Sequence, residues 1–320
     1  MVSVNLALSI PRRAASKKEQ RRQSQIAKDR KMVDKRLKWF FTVPTIIFVL
    51  AMVLFPIIYT LVLSFHSWRM SANIPWEYVG LQNYIDLFSD SRFPMAIGRT
   101  FIFTAIALTI EMILGIGIAL FLNRRFFGKN FVKTAFLIPM VATPVAIGMV
   151  WKLMYDPNIG ILDYILKSMG MPTVNFLGDS NIALYSLIVV DIWEWTPQVM
   201  LIVLAGITSI STEPFESAMV DGATPWQVTW HITLPLLRPT IFTAFLLRLI
   251  DVLKTFDIMY SMTQGGPGYA TETMNILSYR QAFEFMQFGS ASSMLIVFFV
   301  VVMVIAAITV KIKSKMEVDY

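Results

Sequence analysis

The chain has 320 residues, of which 56% are hydrophobic and only 15% are charged. Soluble domains carry about 25% charged residues, and a soluble fold could not cover this much apolar surface. The composition therefore excludes a soluble globule and a disordered chain, and it favours a polytopic membrane protein. The absence of cysteine excludes disulfides, thiol catalysis and cysteine-ligated metal sites.

The net charge of +7 is concentrated at the amino terminus. Residues 1–38 contain 12 basic and 3 acidic side chains, whereas the rest of the chain contains 16 basic and 18 acidic ones. This segment has no aromatic residue of the kind that a nucleic-acid surface interleaves with its basic side chains. We therefore interpret it as a cytoplasmic tail that fixes topology and contacts anionic lipid, and we do not expect a nucleic-acid partner.

Six apolar segments are long enough to cross a bilayer as helices, which takes about 20 residues each. They cover residues 39–65, 100–122, 131–154, 182–207, 240–262 and 290–310. With a cytoplasmic amino terminus, the inner segments carry 19 Lys and Arg residues and the outer loops carry 5. This asymmetry predicts an all-α bundle of six spans with both termini in the cytoplasm. We divide the chain into a basic tail at 1–38, a membrane domain at 39–313 and a short tail at 314–320.

The loop at about 208–237 does not follow the charge pattern. It should be cytoplasmic by alternation, yet it has no Lys or Arg and has three acidic residues. We therefore expect this loop to have a function of its own. Its residues predict two short helices joined by a turn, with Ser211 or Thr212 as the first cap and Asp221-Gly222 as the turn.

The second predicted helix of the loop begins with Thr224-Pro225 and should end at Leu234-Pro235. Trp226 and Trp230 lie four residues apart and share one face of this helix. Two interpretations fit this pair. It can anchor an interfacial helix at the membrane surface, or it can form part of a rigid knob that docks into a cytoplasmic partner.

The same loop carries a motif with fixed spacing. Glu216-Ser217-Ala218, three residues, Gly222, nine residues and then Ile232-Thr233-Leu234-Pro235 resemble the EAA loop of binding-protein-dependent ABC transporter permeases. The one departure is Ser217 in place of the central alanine. Four further segments resemble the carbohydrate-uptake branch of that family: YVGLQNY at 78–84, DIWEWTP at 191–197, TFD at 255–257 and TQGGPG at 263–268.

The resemblance implies a permease subunit of an ATP-driven carbohydrate importer in the cytoplasmic (inner) membrane of a prokaryote. Its expected partners are a second permease, two ATPase subunits, an extracytoplasmic solute-binding protein and membrane lipid. ATP and Mg would be used by the ATPase subunits, since this chain has no P-loop motif. We expect no cofactor, catalytic site or metal site in the chain itself. The implied ATPase-coupling residues are Glu216, Ser217, Ala218, Asp221, Gly222, Ala223, Ile232, Leu234 and Pro235.

Ionisable residues inside the fourth and fifth spans indicate a substrate path, because such residues usually face a bundle interior or a water-filled cavity. The fifth span carries Arg248, Asp251, Lys254 and Asp257 at three-residue steps. For Arg248 and Asp251 we favour a structural role, in which the charges neutralise each other against the second permease. We interpret the lone Glu111 of the second span as a structural partner or a packing contact. The predicted substrate-path residues are Asp191, Glu194, Trp195, Gln198, Lys254, Asp257 and Tyr260.

A secondary transporter or channel without ATP coupling is the alternative function. Two inverted halves with broken helices would favour this alternative, but the sequence has no clear internal repeat. It would also need no EAA loop. The motif at 216–235 therefore favours the importer.

Overall fold

The computed structural model describes the backbone of residues 17–69, 75–124 and 126–316 and the side chains of residues 39–69, 75–124 and 126–313. Residues 1–16 of the predicted tail lie outside the described residues. Residues 17–38 form the first part of the first helix. The chain divides into two compact units, residues 1–59 and 60–320. In the first unit, nearly every described side chain of residues 39–59 is exposed and many of them are large and apolar, as a lipid-facing helix requires.

The described part of the chain is mostly helical, as the composition predicts. The helices are α1 Lys17–Ser64, α2 Gln82–Ser89, α3 Arg92–Asn123, α4 Lys129–Val141, α5 Pro144–Met154, α6 Ile161–Ser168, α7 Ala183–Ser209, α8 Glu213–Val220, α9 Pro225–Val228, α10 Leu234–Leu253, α11 Asp257–Met262, α12 Met274–Tyr279 and α13 Phe288–Met316. Two π-helical turns occupy Thr229–Thr233 and Arg280–Glu284, and strands β1 His66–Ser67 and β2 Glu77–Tyr78 form an antiparallel hairpin.

Four helices in the described residues are long and apolar enough to cross a membrane, namely Trp39–Ser64, Arg92–Asn123, Ala183–Ser209 and Phe288–Lys313. The predicted span at 131–154 consists of α4 and α5, which meet at 98°, so the number rises to five if this pair is one span. Thr143 has an extended backbone and precedes Pro144, the first residue of α5. Because a residue before proline avoids the helical region, the break follows from this dipeptide.

The predicted span at 240–262 is not one continuous helix. It is interrupted between Leu253, the last residue of α10, and Asp257, the first of α11. The Asn275 side chain donates hydrogen bonds across the break, to the carbonyl of Leu253 at 3.1 Å and that of Thr255 at 3.2 Å. The three-residue spacing suggested that Arg248 and Asp257 lie in one continuous helix. The break separates them, so they do not share one helical face. The amide that satisfies the broken end lies 20 residues further along the chain, beyond any local pattern.

Helices α3, α7 and α10 pack against one another at the centre of the second unit. Small residues allow the close approach. A Cβ atom at Gly115 of α3 would lie 2.6 Å from Cγ1 of Val199 in α7, and one at Gly206 of α7 would lie 2.6 Å from Cγ2 of Thr240 in α10. These distances are far below van der Waals contact, so the helices meet only because both positions lack a side chain.

The segment at 78–84 completes the end of α1. Asn83 donates from its amide to the carbonyls of Ser64 at 2.8 Å and His66 at 3.0 Å, and the Tyr84 hydroxyl donates to Ser64 Oγ at 2.7 Å. The last carbonyls of a helix have no partner within the helix, and here side chains supply part of what is missing. The YVGLQNY segment at 78–84 therefore has a structural role at the end of α1.

Candidate functional site

A buried ion cluster joins the three central helices. The Arg248 guanidinium of α10 donates from Nε to Glu111 Oε2 at 2.6 Å and from Nη2 to Glu111 Oε1 at 2.9 Å, so it grips the α3 carboxylate with two hydrogen bonds. The same Nη2 pairs with the Asp191 carboxylate of α7. Arg248 is 1% exposed, and Glu111 and Asp191 are fully buried. A cluster of this kind inside an apolar bundle holds only because each partner compensates the others.

This pairing differs from the expected one. We expected Arg248 and Asp251 to neutralise each other against a second permease, but Arg248 pairs with Glu111 and Asp191 of its own chain. Asp251 instead lies 3.4 Å from Lys254, an i,i+3 pair that is partly exposed. Glu111 thus has the structural role that was predicted for it. Its partner was not identifiable, because 137 residues separate the two side chains.

The next turns of α7 carry polar atoms without partners. Glu194 is fully buried, and neither of its carboxylate oxygens has a hydrogen-bond partner among the described residues. The same holds for Oδ1 of Asp191 and Oε1 of Gln198. The Trp195 ring lies against Arg248, the partner of Asp191, with its centroid 5.3 Å from Cζ of that residue. Four of the predicted path residues therefore lie together, and two of them, Trp195 and Gln198, are half-buried.

The other predicted path residues lie at the break between α10 and α11. Lys254 follows the last residue of α10, and the exposed Asp257 is the first of α11. Tyr260 stacks on Phe256, with ring centroids 5.2 Å apart.

Sequence reasoning missed one member of this aromatic group. Tyr279, which begins the second π turn as its cap, lies edge-on to Tyr260 with ring centroids 4.8 Å apart, and it also meets Phe256 at 5.1 Å. Its position in a segment that the sequence assigned to an outer loop gave no signal for this contact. The aromatic character at 279 and 283 was the only available hint.

The loop at 208–237 contains α8, a turn and α9. Glu216 and Ser217 are exposed on α8, and Ala218 is buried. Gly222 has a φ of +73°, a conformation that glycine adopts without strain. The Ala223 N–H donates to the Ala218 carbonyl at 2.9 Å, which closes the turn.

Helix α9 begins with a complete capping box. The Thr224 hydroxyl accepts from the Gln227 N–H at 3.4 Å, and the Gln227 side chain accepts from the Thr224 N–H at 2.8 Å. Thr224 therefore caps as predicted. The predicted cap at Thr212 makes no such hydrogen bond through its side chain.

The sequence suggested that the second helix of the loop ends at Leu234-Pro235, but the helix continues past these residues. It passes through the π turn Thr229–Thr233 directly into α10, so the chain is helical without interruption from Pro225 to Leu253. Proline lacks an N–H and disturbs the regular helical ladder, and the wider π turn directly precedes Pro235. Ile232, Leu234 and Pro235 are half-buried along this stretch.

The surface of the loop that carries the two tryptophans is apolar and exposed. Trp226 and Trp230 are 69% and 54% exposed, and their rings meet edge to face at 5.8 Å. A groove of about 630 Å³ separates the loop from the end of α3, and its lining includes Phe121, Met219 and Trp226. The tryptophan pair is therefore accessible on the surface of the chain, as both a membrane anchor and a docking surface require.

A further buried carboxylate, that of Glu272, was not predicted from the sequence. Glu272 is fully buried and accepts from Arg92 at 2.6 Å and from Arg280 at 3.1 Å. Arg280 also donates to Glu284 at 2.8 Å, and this hydrogen bond raises the pKa of Arg280 above its ordinary value. The cluster lies beside the turn at 263–268, which Thr271 secures by donating to the Gly266 carbonyl at 2.8 Å. Among the described residues, no group of His, Cys, Asp or Glu is arranged to hold a metal ion.

Comparison with curated proteins finds transporter permeases. The chain is 33% identical over 278 residues to the trehalose/maltose transport system permease protein MalF of Thermococcus litoralis, covering 87% of this chain and 93% of that protein. It is 35% identical over 269 residues to a probable ABC transporter permease protein, y4oQ, of Sinorhizobium fredii, covering 84% and 87%.

Comparison with solved structures agrees with this result. A chain of a bacterial ABC transporter involved in the import of the acidic polysaccharide alginate superposes with a TM-score of 0.79 at 25% identity, covering 90% of this chain and all of that one. Residues 111–317, which include the buried ion cluster and the loop, match the model of the family described as binding-protein-dependent transport system inner membrane component. The chain therefore belongs to this family of ABC transporter permeases, and it is a multi-pass membrane protein.

Proposed function

We propose that this chain is the permease subunit of an ATP-driven importer that takes up a carbohydrate, a sugar, oligosaccharide or related polyol, delivered by an extracytoplasmic solute-binding protein. It would pair with a second permease and with two cytoplasmic ATPase subunits that use ATP and Mg. Curated relatives named for trehalose and maltose transport support the carbohydrate class. The alternative is a secondary transporter or channel without ATP coupling.

The topology that we propose has six crossings and both termini in the cytoplasm. The bent pair α4–α5 would form the third crossing, and the interrupted pair α10–α11 the fifth. The excess of basic residues in the inner segments supports this orientation. A short break in a membrane helix is tolerated where protein rather than lipid surrounds the non-helical backbone. At the α10–α11 break, Asn275 supplies hydrogen bonds to this backbone.

The observation that carries the proposal is the continuous helix from Pro225 to Leu253. At about 1.5 Å per residue, this helix is roughly 40 Å long. The loop turn with Gly222 directly precedes one end, and Arg248 and the break at 254–256 lie at the other. A displacement of the loop by the ATPase subunits would therefore be passed along this helix to Arg248 and to the break at 254–256, and through them to the partners of Arg248 on α3 and α7, which is rigid-element coupling.

The substrate path in this proposal combines two groups of side chains. The first is on α7 and the second at the α10–α11 break, where Phe256 and Tyr260 present stacked rings. Aromatic faces next to hydrogen-bonding groups suit sugars, which have apolar C–H faces and polar hydroxyl edges. The assigned residues are Asp191, Glu194, Trp195, Gln198, Lys254, Asp257 and Tyr260.

Two glycines allow a matched test of coupling. Gly222 and Gly170 have φ angles of +73° and +74°, and a Cβ atom at either position would meet nothing within 4 Å in this chain. Gly222→Ala and Gly170→Ala therefore impose the same backbone strain, about 1 kcal/mol. We expect Gly222→Ala to reduce sugar uptake per ATP hydrolysed at least threefold in the reconstituted transporter, because its added methyl group meets the ATPase. Gly170→Ala should leave that ratio unchanged.

Equal ratios in the two variants would contradict docking at this turn. Membrane levels of both variants, measured by immunoblotting, serve as the control for folding. Co-purification of the ATPase subunits distinguishes loss of coupling from loss of assembly.

A further inference from the structure

A groove on the surface of the second unit lies between α3, α4 and α7 and has a volume of about 540 Å³. Among the described residues that line it, none is charged. Thr196 is the only one with a hydroxyl, and this hydroxyl already donates to the Ile192 carbonyl at 2.6 Å. The other lining residues are aliphatic, aromatic or proline, so the groove lacks the several polar partners that an ordered water needs.

The groove is open at the surface of the chain, since Leu114 on α3, Phe136 on α4 and Trp193 on α7 are large, apolar and exposed. These helices belong to proposed membrane crossings, where either lipid or another protein covers the surface. An unfilled space beside these side chains would forfeit their dispersion contacts, and water is unfavourable in an apolar cavity. The groove therefore requires an apolar occupant. A flexible acyl chain can follow its concave wall, whereas a straight helix of a second permease would bridge it.

Two lysines lie at the end of the groove where α4 begins. Lys129 is the first residue of α4 and Lys133 lies about one helical turn later, with the groove-lining residues Phe131 and Val132 between them. Both lysines are half-buried, and within the described part of the chain neither forms a salt bridge. Like charges four residues apart destabilise a helix. The pair therefore favours an anion bound at this end of the groove.

We propose that the groove binds an anionic phospholipid of the inner leaflet, with one acyl chain between α3, α4 and α7 and the phosphate beside Lys129 and Lys133. Basic pockets at the cytoplasmic ends of membrane helices bind anionic head groups, and long lysine side chains reach them along apolar surface. The proposal rests on the topology in the proposed function, in which residues 123–133 are cytoplasmic. The site is separate from the basic tail at 1–38, whose expected contact with anionic lipid rests on charge alone.

The test uses phosphatidylglycerol that carries a photoreactive diazirine in one acyl chain. The complete transporter is reconstituted into nanodiscs with this lipid and irradiated, and the labelled peptides are identified by mass spectrometry. We expect labelling of the groove walls at 131–139 and 189–197. Because two lysines attract the anionic head group, a phosphatidylcholine with the same acyl chain should label these walls at least about fivefold less.

Two sets of variants assign the labelling to this groove. Lys129→Gln combined with Lys133→Gln removes both charges, so labelling by phosphatidylglycerol should fall to the level of phosphatidylcholine. Lys152→Gln is the matched control, because Lys152 on α5 is exposed and forms no salt bridge with a described residue, and labelling should be unchanged. Ala135→Trp places an indole in the groove and should reduce labelling by both lipids.

Three outcomes would overturn the proposal. The first is equal labelling of the groove by the two lipids, or unchanged labelling in the double lysine variant. The second is labelling that appears only when this chain is purified alone, because a second permease then covers the groove in the assembled transporter. The third is an acyl chain that does not label 131–139 at all, which is the result expected if the lysines bind free phosphate. The double lysine variant decides the result where Ala135→Trp does not assemble, since it leaves the apolar packing intact.

Asn130→Cys separates this result from the proposed function. The chain has no cysteine, so the exposed position 130 would carry its only thiol. A membrane-impermeant maleimide should modify this thiol only from the cytoplasmic side. Modification from the outer side would contradict the proposed topology. Cytoplasmic modification without lipid labelling would contradict the lipid site alone.

Discussion

At the residue scale, Arg248 connects three helices through one side chain. Its planar guanidinium binds the Glu111 carboxylate with two parallel hydrogen bonds and still reaches Asp191. A lysine could not make this arrangement, because its ammonium is a point charge without the fork geometry. The sequence marked each of these charges as unusual in a membrane span, but the pairing depends on how α3, α7 and α10 pack. Charge positions were therefore predictable from the sequence, and partners were not.

Removal of Arg248 should destabilise the protein strongly. Arg248→Met retains much of the side-chain volume but leaves Glu111 and Asp191 buried without a cation. Breaking a buried ion pair in this way costs about 3–5 kcal/mol. Thermal unfolding of the purified complex, followed by fluorescence-detected chromatography, measures the loss.

Lys254→Met is the matched control for Arg248→Met. Lys254 pairs with Asp251 at 3.4 Å in a partly exposed position, where ion pairs contribute about 1 kcal/mol or less. Its midpoint of unfolding should stay close to that of the wild type. Similar shifts in both variants would argue against a buried cluster that holds the three helices.

Asp257 tests the predicted path at the α10–α11 break. Its side chain is exposed at the start of α11, and within the described part of the chain it forms no salt bridge with a basic group. We expect Asp257→Ala to raise the sugar concentration for half-maximal uptake at least threefold while the ATPase subunits still co-purify. Wild-type uptake kinetics would remove Asp257 from the path.

At the element scale, two features separate what the sequence predicts from what packing decides. The apolar segments at 100–122, 182–207 and 290–310 correspond to parts of α3, α7 and α13, because length and composition determine a membrane helix. The break before Asp257 is bridged by Asn275 from further along the chain. Periodicity reveals neither this break nor the π turn before Pro235. The Thr143-Pro144 break could have been predicted from the proline rule alone.

A pair of glycines on α3 tests the close packing of α3 and α7. A Cβ atom at Gly115 would lie 2.6 Å from Cγ1 and 2.7 Å from Cβ of Val199, whereas one at Gly117 would meet nothing within 4 Å. Gly115→Ala should therefore destabilise the protein by about 1–3 kcal/mol through overpacking. Gly117→Ala should be neutral or slightly stabilising, since alanine is the better helix former by about 1 kcal/mol.

Thermal unfolding of both alanine variants gives the comparison directly. The positions lie two residues apart on one helix, so insertion into the membrane should be equally efficient. A destabilised Gly117→Ala with an unaffected Gly115→Ala would show that the α3–α7 contact differs from the one described.

At the scale of the whole molecule, the motif at 216–235 predicted the family, and the family match over residues 111–317 confirms it. The structure adds the physical link, because one uninterrupted helix joins the loop to the ion cluster. That link was not predictable, since Leu234-Pro235 indicated a stop. The unpartnered oxygens of Asp191, Glu194 and Gln198 on α7 also required the structure, because only packing shows which polar atoms of the described residues lack partners.

We propose that this permease moves its substrate at the expense of ATP. Sugar uptake into proteoliposomes that contain this chain, a second permease and ATPase subunits measures this dependence. Labelled sugar and the solute-binding protein are supplied outside, and ATP with Mg is supplied inside. We predict uptake only when ATP and the binding protein are both present, with no effect of ionophores that collapse proton and sodium gradients. Uptake that proceeds without ATP and disappears with those ionophores would contradict the importer and establish a secondary transporter.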